Sequence, residues 1–228
     1  MVRLVASLSA LAGIASFALF LYVLGEGPGQ SLAVRHLREG KGRDASPTRV
    51  EPMTGRDVYA LPVHASLAEY SGYELRAVSL ECRVGMLQHA SDGDLHLECQ
   101  TPDSLEVDEP AQRKVDVRGR PLRHHYITAE ITPGWRGRPA ASGIDSPGWS
   151  YEQLAAVFRP NHGAGSPWPG GPARVRLTGW LLYDAGGDVA EHLLHVAHLP
   201  RPTDWEIHPV TKIERWDDRL AAWVEVRR

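Results

Sequence analysis

From Leu75 to Leu87 apolar and polar residues alternate, which predicts a strand with Val78, Leu80, Cys82, Val84 and Met86 on one face. The segment His89–Asp94 supplies a turn through its Asp-Gly pair, and Leu95, Leu97 and Cys99 resume the alternation, so the two runs read as a hairpin. A third strand spans His125–Thr132, with Ile127, Ala129 and Ile131 on one face and Tyr126, Thr128 and Glu130 on the other; Pro133-Gly134 ends it. Tyr151–Phe158 changes period and predicts a short helix, capped by Ser150 and stopped at Pro160. A fourth strand follows at Arg174–Tyr183, and a fifth lies within Trp205–Trp216. The tail from Arg215 places Leu220, Trp223 and Val224 on one stripe of a helix, able to dock with Trp216 on the domain or on a partner.

Three strands, a helix and two strands form the element order β-β-β-α-β-β of an OB-like five-stranded barrel in a mainly β protein. Another small β-barrel or an α+β sandwich would share that order. In the OB arrangement the strands neighbour one another as 1-2-3-5-4, so strands two, three and five lie side by side.

Upstream of this domain the pattern disappears. Leu4–Leu24 carries no charge, and Ser7, Ser9 and Ser16 are its clearly polar residues. As a helix it is about 31 Å long, enough to cross a bilayer, which makes residues 1–24 a transmembrane anchor or signal segment. Ser31-Leu32-Ala33 offers small residues for a cleavage site, though far from the run. Arg3 precedes the run and Arg35, Arg38, Lys41 and Arg43 follow it, a bias that opposes an extracytoplasmic domain but is diluted by Glu39 and Asp44. The expected place is a membrane-anchored domain in the periplasm or at the cell surface. Residues 25–57, rich in Gly, Pro, Ser and charge, read as a flexible tether, leaving 58–228 as the barrel domain.

A net charge of −3 argues against a protein that coats nucleic acid, and 43% apolar residues exclude wholesale disorder. Two cysteines are too few for a four-thiolate zinc site. A turn that sets His89 opposite Asp94 makes Cys82 and Cys99 diagonal neighbours on the inward face, either core thiols or, with a bulge, a disulfide.

Four short motifs, D-G-D-L-H-L at Asp92–Leu97, A-E-I at Ala129–Ile131, V-R-L-T-G at Val175–Gly179 and E-I-H-P-V at Glu206–Val210, fall in one order. Together they resemble the pattern of a family of uncharacterised bacterial proteins that are exported or membrane-anchored OB-type barrels. The resemblance covers roughly residues 77–213; it implies a fold and a location, and no activity. Asp92-Gly93-Asp94 also resembles the turn of staphylococcal-nuclease-type barrels. However, Leu95 stands where that family has threonine, and the expected Arg-Leu-Gly-Ile-Asp stretch is missing.

Alternation aims His96 outward on strand two and Glu130 outward on strand three. With Trp205 and Ile207 inward on strand five, Glu206 and His208 face out as well. His96, Glu130 and His208, with Tyr126 on the same face, are the candidate ligand-binding residues. Two imidazoles and a carboxylate suit a metal ion, acid–base chemistry on a substrate, or a purely structural network in which Glu130 orients a histidine under a covering loop. Glu98, Glu130 and Glu206 on that face would repel phosphates, so nucleic acid is not the expected partner. His192, His195 and His198 fall at intervals of three and read as a solvated stripe rather than a metal site. No G-x-S-x-G nucleophile elbow occurs. The resulting expectation is a tethered binding or assembly module of the cell envelope, with its membrane and a possible envelope protein as partners. No catalytic residue or cofactor is assigned, and the alternative is a metal-binding protein or hydrolytic enzyme built on the His/Glu/His set.

Overall fold

The computed structural model describes residues 32–62, 67–90, 92–103, 126–136, 148–160, 171–184 and 203–227. The Leu4–Leu24 run, His124-His125 and the His192/His195/His198 stripe lie outside these residues. Among the described residues no helix is long and apolar enough to cross a membrane.

The protein is mainly β, with a closed five-stranded barrel and extra strands. Strands β1 (Glu51–Met53), β2 (Ala77–His89), β3 (Leu95–Gln100), β4 (Ile127–Ile131), β5 (Arg174–Tyr183), β6 (Trp205–Asp217) and β7 (Ala222–Glu225) form one sheet. Its order is β1-β2-β3-β4-β6-β5, β5 returns to pair with β2, and β7 pairs with β6. The barrel strands β2-β3-β4-β6-β5 thus follow the 1-2-3-5-4 order expected from the sequence. Leu80, Leu97, Ile127, Leu177 and Ile207 are fully buried in the interior, as the alternation of each strand requires. Helix α4 (Tyr151–Phe158) has the predicted bounds: the Ser150 side chain accepts from the Gln153 N–H, and Leu154, Ala155 and Phe158 turn into the core. Two short helices, α2 (Gly55–Tyr59) and α3 (Leu67–Glu74), precede β2. Tyr70 of α3 stacks on Tyr183 with centroids 3.9 Å apart.

Three local differences have physical causes. At the hairpin His89 faces Leu95 rather than Asp94, and an irregularity between Val84 and Met86 changes the register. This bulge reverses the alternation, so Leu87 rather than Met86 is buried, while Val84 still pairs with Cys99. Cys82 and Cys99 are both buried free thiols in contact, and burial, with Cys99 beside it, pushes the Cys82 thiol well above its ordinary range.

The tail is corrected from a helical stripe to a hairpin. Asp217 Oδ1 accepts from the Arg219 and Leu220 N–H groups in the turn, and Trp223 comes opposite Trp216. That pairing gives the tail an aromatic cross-strand contact, with centroids 5.3 Å apart, and leaves Leu220 exposed.

The stretch expected to be a tether holds, in its described part, helix α1 (Leu32–Lys41), β1 and the start of α2. Tertiary contacts secure it where local pattern is weak. His36 of α1 pairs with the buried Glu74 of α3. Arg43 Nη1 donates to the Leu181 carbonyl at 3.2 Å, and the Trp135 indole donates to the Arg43 carbonyl at 3.0 Å.

Candidate functional site

The polar set is assembled by register. His96 lies directly opposite Glu130 across the β3–β4 ladder. The parallel β4–β6 ladder pairs Ala129 with Ile207, which brings the next residues, Glu130 and His208, to one level. Outward-facing residues of three adjacent strands therefore converge. His96 Nε2 is 2.8 Å from Glu130 Oε1, and His208 Nδ1 is 2.9 Å from Glu130 Oε2. Tyr126 is also buried, but it stands four residues before Glu130, about 13 Å along the strand. The structure brings three of the four sequence-predicted residues together and leaves Tyr126 apart.

Three further residues complete the cluster. Glu206 Oε1 lies 2.9 Å from His208 Nδ1, so both carboxylates share one ring nitrogen. Asp94, at the end of the hairpin turn, places Oδ2 3.4 Å from His208 Nε2. Lys41, at the end of α1, places Nζ 3.4 Å from Glu130 Oε2, 3.3 Å from Asp92 Oδ2 and 3.9 Å from Asp94 Oδ2. The tight Asp92-Gly93-Asp94 turn makes this possible, with Gly93 at φ +93 and the Asp92 side chain accepting from the Asp94 N–H.

Sequence alternation already marked Glu206 as outward-facing. Asp94 carried only a turn signal, and nothing local pointed to Lys41, which reaches the site from the presumed tether.

Burial governs the electrostatics. Glu130, Glu206 and His208 are at most 1% exposed. Burial alone would raise the Glu130 pKa, but His208, with smaller help from His96 and Lys41, holds the carboxyl well below its ordinary range. Burial would likewise lower the His208 pKa, and the carboxylates of Glu130, Asp94 and Glu206 override it and raise it well above. Glu206 moves the other way: burial and the neighbouring Glu130 charge raise its pKa. Lys41 is desolvated too, yet Glu130, Glu206, Asp184 and Asp92 raise its pKa. At neutral pH the set is an ionised Glu130 bridging two histidines, one of them the His208 imidazolium, with the Lys41 ammonium beside it.

On the same face, burial pushes the Glu98 carboxyl up to about 7, with His96 opposing. The folded protein therefore keeps a proton that the unfolded chain releases, and stability falls as pH rises from the ordinary 4.5 through 7. Glu98→Gln removes that loss. The variant is expected to gain about 1 kcal/mol at pH 8 after allowance for solvent screening, and nothing at pH 4, in urea unfolding.

Two concavities flank the barrel. One, of about 350 Å³, opens onto the cluster and is lined by Lys41, Arg43, Asp92, Asp94, Pro133 and Trp135 among others. The second, of about 660 Å³, is lined by Arg83, Arg159, Arg174, Arg215, Trp216 and Asp217 among others. Two of its guanidiniums already serve the fold. Arg174 bonds Glu81 and lies 4.6 Å from the Trp216 ring centroid, and Arg83 bonds the Pro172 carbonyl. The first cleft, with charged groups at its wall and a buried ionic set in contact with them, is the stronger ligand site.

No protein-family model, curated protein or solved structure matches this chain. Both histidines attach to oxygens of Glu130, so His96, Glu130 and His208 do not converge on a common vacant point. The arrangement is a carboxylate that orients two imidazoles.

Proposed function

We infer that this chain is an extracytoplasmic, membrane-tethered binding or assembly module of the cell envelope. Its OB-like barrel takes a ligand on the face formed by β3, β4 and β6. The observation that carries the reading is the cleft beside α1: it is open at Lys41, Asp92 and Asp94, and these residues lead to the buried Glu130–His208 set. The barrel's 1-2-3-5-4 order and the helix between its third and fourth strands support the OB-like assignment, and in that fold ligands are taken on this side. The apolar Leu4–Leu24 run supports tethering.

The test uses the full chain in its membrane. The protein should resist carbonate extraction, be cut by protease from the extracytoplasmic side, and migrate on native gels in a species larger than the detergent-solubilised monomer. His96→Ala, at a part-exposed position of the site, should dissolve that species while the protein stays folded. Release by carbonate, or ester hydrolysis by the purified chain that Glu130→Gln abolishes, would overturn the reading in favour of a soluble protein or an enzyme.

A further inference from the structure

We propose that the second concavity, of about 660 Å³, is a binding site for a small ligand carrying a phosphate group. It shares no lining residue with the cleft at Lys41, so it goes beyond the role proposed for that cleft.

Its size is that of a small-molecule pocket, and its charge is one-sided. Arg83, Arg159, Arg174, Arg215 and Arg219 line it, against Asp217 and Asp218. Even with Glu81 counted, because it bonds Arg174, two positive charges are left over. The chain brings these like charges together at a cost. Arg83 stands directly opposite Arg174 across the β2–β5 ladder, a position in which like charges repel. Arg215 follows on the next strand, opposite Val175. Arg159 closes α4 in the left-handed region, at φ +51, where a glycine avoids the steric cost that a β-carbon brings. An anion held between these groups would offset the repulsion.

The guanidiniums fall into two classes. Arg174 and Arg83 are held in place: Arg174 lies 4.6 and 5.1 Å from the Trp216 and Trp223 ring centroids and bonds Glu81, and Arg83 bonds the Pro172 carbonyl. Among the described residues, the side chains of Arg159, Arg215 and Arg219 have no ion pair, hydrogen bond or ring contact, so their donors are available. They come from three places, the end of α4, β6, and the turn between β6 and β7. A carboxylate offers its two oxygens in one plane. A phosphate presents oxygens in tetrahedral directions and can accept from guanidinium forks that arrive from different sides. The charge left over also matches a phosphate monoester, which carries roughly two negative charges at neutral pH.

Inorganic diphosphate is titrated calorimetrically into the full chain in neutral detergent. One equivalent should bind, and Arg219→Gln should weaken binding about tenfold. Arg159→Gly is the sharper variant. It should weaken binding to a similar extent while raising the urea midpoint, because glycine relieves the left-handed cap. Affinity lost by a more stable protein is not a folding defect. Arg159→Lys, which keeps the charge without the fork, should fall between. Phosphatidylglycerol doped into the micelle separates the sources of the phosphate: competition with diphosphate assigns the site to a lipid headgroup, indifference to a soluble phosphate ester, and either supports it. No saturable binding, sulfate bound as tightly as diphosphate, or affinity unchanged in both Arg159→Gly and Arg219→Gln overturns the site.

Discussion

Glu130→Ala is expected to lose about 3–5 kcal/mol of stability in urea unfolding at pH 7. The carboxylate is 1% exposed, and its two oxygens hold His96, His208 and Lys41. Truncation therefore does more than delete an interaction: it leaves the fully buried His208 facing a cavity, with its principal counter-charge gone. Glu130→Gln keeps the shape and part of the hydrogen bonding and should fall between the wild type and alanine. The pH dependence identifies the cause. Because the Glu130 pKa is depressed, its contribution is complete above the ordinary 4.5 and is lost as pH falls through the folded value. Because the His208 pKa is raised, its contribution is complete below the ordinary 6.5 and is lost as pH rises through its folded value. Wild-type stability from this pair should thus peak between about 4.5 and 6.5 and decline on both sides. In Glu130→Ala both flanks flatten. An alanine variant with the wild-type pH profile would show that the pair is not coupled in solution.

Gly179→Ala is expected to cost about 3 kcal/mol. A β-carbon at this position would stand 2.4 Å from the Pro209 carbonyl oxygen and 2.6 Å from Ile207 Cγ2. The first neighbour is backbone, so no side-chain rotation relieves it. The β5–β6 register shifts on either side of Gly179, and Pro209, which has no N–H to contribute to a ladder, lies across from it. Any relief must move Pro209 and with it the adjacent His208, so the variant should also weaken the Glu130–His208 contact. The control is Gly72→Ala in α3, where a β-carbon meets nothing within 4 Å. Removing a glycine from that helix should stabilise by about 0.5–1 kcal/mol. Equal urea midpoints for the two variants would refute the packing argument.

The barrel was legible wherever structure is set by neighbours in sequence. Ser150 and Pro160 bounded α4, and Arg174–Tyr183 was readable as β5 to the residue, because capping and alternation are local signals. The face shared by His96, Glu130 and His208 followed from the same alternation once the strand order was chosen. Met86 was misplaced because a bulge at Gly85 leaves the composition of the strand unchanged while inverting its phase. Trp223 was assigned to a helix because a short tail satisfies both periods, and only the pairing with Trp216 decides between them. Lys41 was unreadable as a site residue. Its segment has the composition of a tether, and the carboxylates that hold it belong to distant parts of the chain.

That distance has a kinetic consequence. Lys41 and Glu130 are 89 positions apart in the sequence, and Glu130 meets His208 only through a parallel pairing that closes late in the chain. Contacts of such long sequence separation require most loop-closure entropy to be lost before they give any return. An N-terminal fragment, or a chain still emerging during synthesis, carries the aspartates and Glu130 without the imidazole that compensates them. The cluster is therefore a marker of completion: a signal from His208 in its buried state reports that the last barrel strand has joined, and it will be among the slowest signals to appear on refolding.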